Sequence, residues 1–109
     1  MKLKLIKHVL LAGVATTVLM TGNVVWAADP EAGQQKAETC QGCHGVPDSV
    51  NVYPTYHVPK IGGQHQAYLV AALKAYKDKT RAHDTMHANA ADLSDEDIAD
   101  IAAYFASLK

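Results

Sequence analysis

The sequence has few aromatic side chains, almost no net charge and only two cysteines. Aromatic residues make up 6% of the 109 positions, and ten Lys and Arg residues stand against eleven Asp and Glu residues, for a formal net charge of -1. This length suits one domain and excludes a large multidomain enzyme. The lack of a basic excess argues against a general nucleic-acid binder, whose phosphate contacts need such an excess.

The start of the chain differs from the rest and has the layout of a secretory signal peptide. Three lysines within the first seven residues form a basic start, residues 9–20 are uncharged and mostly apolar, and the small residue Ala27 ends the segment. We expect cleavage after Ala27, which divides the chain into a signal peptide at 1–27 and a domain at 28–109. The alternative is an uncleaved membrane anchor, because the uncharged stretch 9–28 reaches the about 20 residues that span a bilayer.

The domain that remains is acidic and poor in large apolar side chains. Removing 27 of the 109 residues leaves 82, with seven basic against eleven acidic residues and therefore a formal charge of -4. It also removes the only tryptophan and leaves one phenylalanine, Phe105, and one methionine, Met86. A core with so few large side chains is marginal at this size, and such domains usually need a disulfide, a metal or another added constraint.

The domain is predicted to be all-α, with three main helices. Asp29-Pro30-Glu31 predicts the start of the first helix, which we expect to end at residues 40–41. The second helix is expected to begin near Gln64, where apolar residues start to recur every three to four positions. No strand-like alternation of four or more residues competes with this pattern.

The third helix has the clearest predicted start. Ser94 and Asp97 stand at the spacing of a capping box, in which each side chain binds the other residue's backbone N–H. The apolar positions that follow recur at helical spacing. They predict one buried stripe made of Ile98, Ile101, Ala102, Phe105 and Leu108.

The sequence Cys40-Gln41-Gly42-Cys43-His44 is a C-x-x-C-H motif in a chain that a signal peptide sends out of the cytoplasm. Two thiols three residues apart at a helix end can each add to one vinyl group of a haem. The imidazole of the adjacent histidine can then bind the iron. Covalent attachment would hold the cofactor in a protein too small to enclose it by burial alone.

Three other uses of the two cysteines stay open at this point. A thioredoxin-like redox pair needs a βαβ framework, which the helical pattern does not offer. A structural disulfide would close a loop of only a few residues and gain little entropy. A zinc site could combine both cysteines with two histidines from the set His44, His57, His65, His83 and His87.

These features together resemble class I cytochromes c, in particular the small monohaem type of bacterial periplasms, over nearly all of residues 29–108. Besides the C-x-x-C-H motif, residues 59–64 are similar to the family's P-x-L-x-G segment. Met86 and residues 93–97 are similar to its sixth-ligand loop and the start of its final helix. The resemblance implies the class I cytochrome c fold, with three main helices and loops around one covalently bound haem c.

The resemblance also implies roles for single residues near the motif. Cys40 and Cys43 would form the thioethers, and His44 would be the proximal ligand of the iron. Pro59 resembles the family proline whose carbonyl accepts a hydrogen bond from the proximal histidine and so fixes its ring. Gly33 is expected where the first and third helices cross near Tyr104, because a side chain there would push them apart.

Met86 is the distal ligand that the resemblance implies. It is the only methionine of the domain, and we expect it in a non-helical stretch between the second and third helices. His83 and His87 flank it and are the competing sixth ligands. In the 46–58 loop, Tyr53 and Tyr56 are expected to cover a haem edge, with a propionate contact as the alternative.

The implied function is periplasmic electron transfer by a monohaem protein with His/Met-ligated iron. Such iron is six-coordinate and leaves no position for a substrate, so we expect a carrier and not an enzyme. The alternatives are a haem-based peroxidase or gas sensor with a labile distal ligand, and a haem subunit of a periplasmic dehydrogenase complex. Expected partners are a quinol-oxidising complex, a dehydrogenase, or a terminal oxidase or reductase. We expect a monomer with no nucleic-acid partner and no membrane span after cleavage.

Overall fold

The computed structural model describes residues 27–51 and 56–108. This part contains five helices, α1 Pro30–Lys36, α2 Glu38–His44, α3 Gln66–Lys77, α4 Asp84–Ala90 and α5 Asp95–Ser107. An isolated antiparallel bridge joins Val50 to His57, and the described residues form no strand longer than that. The all-α prediction is therefore confirmed. The predicted signal peptide lies outside the described residues, except for Ala27.

The first predicted helix is divided into two and is longer than expected. The Asp29 side chain caps α1 by accepting hydrogen bonds from the backbone N–H groups of residues 31 and 32. Ala37 interrupts the helical path with φ -89° and ψ 5°, yet its carbonyl still accepts from the N–H of Gln41. As a result α2 continues to His44, three to four residues beyond the predicted end, and places the whole C-x-x-C-H motif in a helix.

Helix α4 was not predicted, and the expectation that Met86 lies in a non-helical stretch is wrong. His83 precedes the helix in an extended conformation, and its Nδ1 accepts a hydrogen bond from the N–H of Met86 at 3.3 Å. A histidine is not among the common N-cap residues, and a helix of seven residues has no room for an apolar stripe. Met86 therefore lies in the first turn of a short helix.

Helix α5 forms the centre of the core. The predicted capping box is present, with the Asp97 N–H donating to Ser94 Oγ at 3.0 Å and the Ser94 N–H donating to Asp97 Oδ2 at 2.9 Å. Ile98, Ile101, Ala102 and Phe105 are buried as predicted, whereas Leu108 is 38% exposed. Leu108 leaves the stripe because it is the C-cap residue and has an extended backbone.

Helix α1 packs closely on α5, as expected at Gly33. A Cβ atom at Gly33 would lie 2.0 Å from the carbonyl oxygen of Asp100 and 3.0 Å from Cβ of Tyr104. Only glycine allows the two backbones to come this close. Helix α3 packs against both α5 and α4, so α5 holds the first half and the second half of the domain together.

Ion pairs between Lys36 and α5 strengthen this crossing. The ammonium of Lys36 lies 2.9 Å from Asp97 Oδ1 and 2.7 Å from Asp100 Oδ2. The other Asp100 oxygen accepts a hydrogen bond from the N–H of Asp29 at 2.8 Å. Lys36, together with hydrogen bonds from Ser94, lowers the pKa of Asp97 to about 2, and Lys36 with the Asp29 N–H lowers the pKa of Asp100.

We expect the free energy of unfolding of Lys36→Met to fall less steeply in acid than that of the natural protein. A lowered folded-state pKa adds stability above the ordinary carboxyl pKa of 3.8, and this contribution disappears as the pH falls towards the folded value of about 2. Above about pH 4 the variant loses the part of this contribution that comes from Lys36, while the hydrogen bonds from Ser94 remain. Urea unfolding of the haem-loaded protein between pH 6 and pH 2 would show a lower plateau and a shallower decline.

Lys74→Met is the matched control, because Lys74 pairs at 3.2 Å with Asp95, whose side chain is 81% exposed. A pair in so much water contributes little to stability. An equally steep acid decline in Lys36→Met and the natural protein would contradict the role given to Lys36.

Candidate haem-binding site

One cavity of about 520 Å³ brings the predicted site residues together. Cys40, Cys43, His44, Pro59 and Met86 all line it, although more than 40 positions separate the first from the last in the sequence. The volume lies within the roughly 300–1,000 Å³ that is usual for small-molecule and cofactor sites. The cavity is therefore large enough for a cofactor and has chemically reactive side chains on its wall.

The two cysteines come from α2. Cys40 and Cys43 are both free thiols, so the disulfide alternative is not formed in this structure. A spacing of three residues places them on the same side of a helix, one turn apart. Cys40 is half-buried, and burial raises the pKa of its thiol, whereas Cys43 is exposed.

His44, at the end of α2, is held by the carbonyl of Pro59. Its Nδ1 lies 2.7 Å from that oxygen, and because a carbonyl can only accept, Nδ1 is the donor. In the neutral imidazole, Nε2 then keeps its lone pair and can bind a metal. A ligating histidine typically donates its other N–H to an acceptor of this kind, which fixes the ring and strengthens it as a ligand. The predicted contact between Pro59 and His44 is present.

The histidines that flank Met86 are less suited to the same task. His83 lines the cavity, but its Nδ1 accepts from the Met86 N–H, so the neutral ring carries its proton on Nε2. That proton blocks the lone pair a metal would need. His87 is not among the described lining residues, and its Nδ1 donates to the Tyr76 carbonyl at 2.9 Å. The Met86 thioether lines the cavity without either restriction.

The remaining wall is largely apolar and belongs to the core. Leu69, Ile101, Ala102 and Phe105 form the buried cluster of the domain and also line the cavity. The cavity thus borders the hydrophobic core on one side and opens to solvent on the other, where exposed residues such as Cys43 and Tyr68 line it. This placement agrees with the shortage of large apolar side chains in the sequence, because a flat apolar cofactor would complete the interior.

Sequence reasoning missed several polar residues of the wall. Lys60, Arg81, Thr85 and Asn89 also line the cavity. Nothing in the sequence places Arg81 on this wall, although it is the only arginine of the chain. Thr85 and Asn89 share a face of α4 with Met86, so recognising that helix would have found them.

Tyr53 and Tyr56 are the residues of the 46–58 loop that were predicted to cover a haem edge. Tyr56 lines the cavity and is 58% exposed, so it lies at the cavity mouth, whereas Tyr53 lies outside the described residues.

In the described part of the chain, no group of three or more His, Cys, Asp or Glu side chains is arranged to hold a metal ion. The structure therefore offers no support for a zinc site.

A family model described as Cytochrome c matches residues 30–109. The chain belongs to the cytochrome c family. Its class I fold is confirmed, and the cofactor of the family is covalently bound haem c, for which the two free thiols stand at the required spacing.

Individual cytochromes support the same assignment. The chain is 41% identical over 100 residues to cytochrome c4 of Pseudomonas aeruginosa. The aligned region covers 92% of this chain and 48% of that protein. It is 45% identical over 84 residues to cytochrome c-554(548) of Halomonas halodenitrificans, covering 74% of this chain and 98% of that protein.

A solved structure shows the same fold. Reduced recombinant cytochrome c4 from Pseudomonas stutzeri matches with a TM-score of 0.58 and 30% identity, over 75% of this chain and 50% of that one. The chain thus spans about half the length of the cytochromes c4 that it matches. Within the described residues, no helix of this cytochrome is long and apolar enough to cross a membrane.

Proposed function

We propose that this cytochrome carries single electrons between redox proteins. The observation on which the proposal depends is that two free thiols, an imidazole with an available Nε2 lone pair and a thioether line one apolar cavity. When bound, haem c supplies one-electron Fe(II)/Fe(III) chemistry. The chain's own residues would hold the haem, provide both axial ligands and keep water away.

Each residue has a separate task in this proposal. Cys40 and Cys43 would attach the haem through thioethers, and His44 would bind the iron through Nε2 while the Pro59 carbonyl fixes its ring. Met86 would provide the second protein ligand to the iron, and a thioether ligand raises the reduction potential. With both axial positions taken by the chain, no position is left for a substrate, so we propose a carrier and not an enzyme.

The fixed backbone around Met86 supports it as the distal ligand. It lies in the first turn of α4, where its N–H is bound to the His83 side chain, and α4 packs on α3. A ligand on a helix packed in this way would move little between the two oxidation states. Little reorganisation on electron transfer is what a carrier requires.

His83→Asn and His83→Ala are expected to keep the Met86-ligated spectrum of the oxidised protein. Asparagine is a good N-cap residue and keeps the start of α4, whereas alanine removes the cap at a cost of about 1 kcal/mol in the free energy of unfolding. Optical spectra and urea unfolding of the two variants check this. A natural protein that lacks the sulfur-to-iron band, with an iron-ligation spectrum that changes in both variants, would identify His83 as the ligand instead.

We further propose that the signal peptide at 1–27 is removed and that the domain works in the periplasm as a monomer. The basic start, apolar run and small residue at position 27 support export, and export agrees with haem attachment to a C-x-x-C-H motif. Redox proteins such as a quinol-oxidising complex, a dehydrogenase, or a terminal oxidase or reductase are the proposed partners.

Binding of carbon monoxide to the reduced protein tests the proposal against a gas sensor or peroxidase. A carrier whose two axial ligands come from the chain should bind the gas slowly or not at all at neutral pH. It should also titrate reversibly with one electron per haem. Rapid carbon monoxide binding by the natural protein would overturn the carrier function and favour a haem with a labile distal ligand.

A further inference from the structure

The charged side chains on the cavity wall are all basic, although the domain as a whole has an acidic balance of seven basic against eleven acidic residues. Lys60 and Arg81 line the cavity, and no Asp or Glu is among the described lining residues. Both side chains are exposed, and positive charge beside an apolar cavity without nearby acids favours binding of an anionic group there.

Arg81 is the cation that the structure holds in place. Its Nη1 donates to the Tyr68 hydroxyl at 3.4 Å, and its Cζ lies 4.8 Å from the centre of the Tyr76 ring. Its backbone N–H donates to the carbonyl of Ala75 at 3.0 Å, which ties it to the end of α3. Tyr68 and Tyr76 also line the cavity, so the guanidinium is supported on the cavity wall.

Two lysines near Arg81 in the sequence, Lys74 and Lys77, already have partners. Lys74 pairs with Asp95 at 3.2 Å, and the ammonium of Lys77 donates to the carbonyl of Leu93. In the described part of the chain, the ion pairs involve Lys36 and Lys74 and none includes Arg81. Among the described residues, its guanidinium therefore contacts tyrosine side chains but no carboxylate.

A haem carries two propionate carboxylates in addition to the groups that the cysteines and axial ligands bind. Guanidinium is planar and can donate two parallel hydrogen bonds to one carboxylate, which a lysine ammonium cannot match. Lys60 directly follows Pro59, whose carbonyl accepts a hydrogen bond from His44. Lys60 therefore lies on the side of the cavity that holds His44. Arg81 stands in the connection between α3 and α4, on the side that provides Met86.

We propose that Arg81 binds a propionate carboxylate of the haem. The inference rests on the haem assignment made under the proposed function. Tyr68 and Tyr76 act as positioning residues, because they orient the guanidinium before the haem is in place. The contact would keep one propionate ionised and place a fixed positive charge near the iron.

The test compares the haem-loaded Arg81→Gln and Arg81→Lys variants with Lys79→Gln. Lys79 is exposed, lies two residues from Arg81 and does not line the cavity, so its variant loses the same charge on the same surface. Its backbone φ of 60° is equally strained with Lys or Gln, since both have a Cβ atom. Two quantities are measured: the midpoint potential against pH and the propionate bending band in the resonance Raman spectrum.

We expect Arg81→Gln to lower the midpoint potential more than Lys79→Gln does, because removing a close positive charge favours the oxidised iron. Loss of the arginine should raise the pKa of the propionate by about one unit or more. The pH at which the midpoint potential begins to change should rise by the same amount. Arg81→Lys should give an intermediate result. A shifted propionate band is required as well, because only that band reports on the carboxylate itself.

Equal potentials, pH profiles and Raman bands in Arg81→Gln and Lys79→Gln would overturn the inference while leaving the haem assignment intact. An Arg81 effect confined to the rate and salt dependence of electron transfer with a partner would also overturn it, and would assign Arg81 to a carboxylate on that partner. Absence of haem from the natural protein would instead refute the proposed function itself.

Discussion

Replacing His44 by alanine is expected to prevent formation of a stable haem-loaded protein. His44 is the one histidine on the cavity wall whose hydrogen bond, to the Pro59 carbonyl at 2.7 Å, leaves Nε2 free to bind iron. Removing a residue that only supports a ligand typically costs ten- to a hundredfold in metal affinity, and loss of the ligand itself should cost more. Because ligation and folding are coupled, the chain should also lose its structure.

The yield of covalently loaded protein from cells that mature c-type haem measures this effect. We expect the yield to fall by roughly a hundredfold or more relative to the natural protein. His57→Ala is the matched control, since His57 also lines the cavity but is exposed and its ring is not tied to the carbonyl of Pro59. A normal yield and a normal reduced spectrum in His44→Ala would remove His44 from the site.

Replacing Met86 by alanine is the second change with a large expected effect. The variant should lower the midpoint potential by on the order of 0.1 V or more, within the ~0.8 V range over which axial ligands set haem potentials. Its reduced form should bind carbon monoxide rapidly, because one axial position becomes free. Alanine is the best helix former, so α4 should keep its structure.

The sulfur-to-iron charge-transfer band of the oxidised protein, near the red end of the spectrum, gives the direct readout. It should be present in the natural protein and absent from Met86→Ala. Thr85→Ala is the control, because Thr85 precedes Met86 in α4 and lines the same cavity. A band that persists in Met86→Ala would show that another residue is the distal ligand.

The parts of the site that could be predicted from the sequence depend on local patterns. The C-x-x-C-H motif lies within one helix, and the capping box at Ser94 depends on contacts across three residues. Both follow from short-range chemistry. The contact between His44 and Pro59 came from resemblance to a family, because 15 positions separate the two residues and no local rule joins them.

The parts that could not be predicted depend on tertiary packing. Helix α4 is short, begins at a histidine cap and is held against α3, so periodicity alone did not reveal it. Leu108 fits the apolar period of α5, but the helix ends one residue earlier and the side chain is partly exposed. The place of Arg81 on the cavity wall follows from its contacts with Tyr68 and Tyr76 and has no sequence signature.

Taken with the cavity, the composition has a physical explanation. The buried residues of α5 and α3 line one side of a space of about 520 Å³ and do not fill it, since the domain has one phenylalanine and no tryptophan. A haem attached at Cys40 and Cys43 would fill that space and add the apolar area that the side chains lack. The small core and the cofactor site are therefore the same feature.

The intact mass of the exported protein, with its optical spectra, tests the central claim most directly. The account predicts the mass of residues 28–109 plus one haem, a reduced spectrum typical of haem c, and a sulfur-to-iron band after oxidation. These three results would establish processing after Ala27, covalent attachment and Met86 ligation together. A polypeptide mass without haem, from cells that load other c-type cytochromes, would contradict the account.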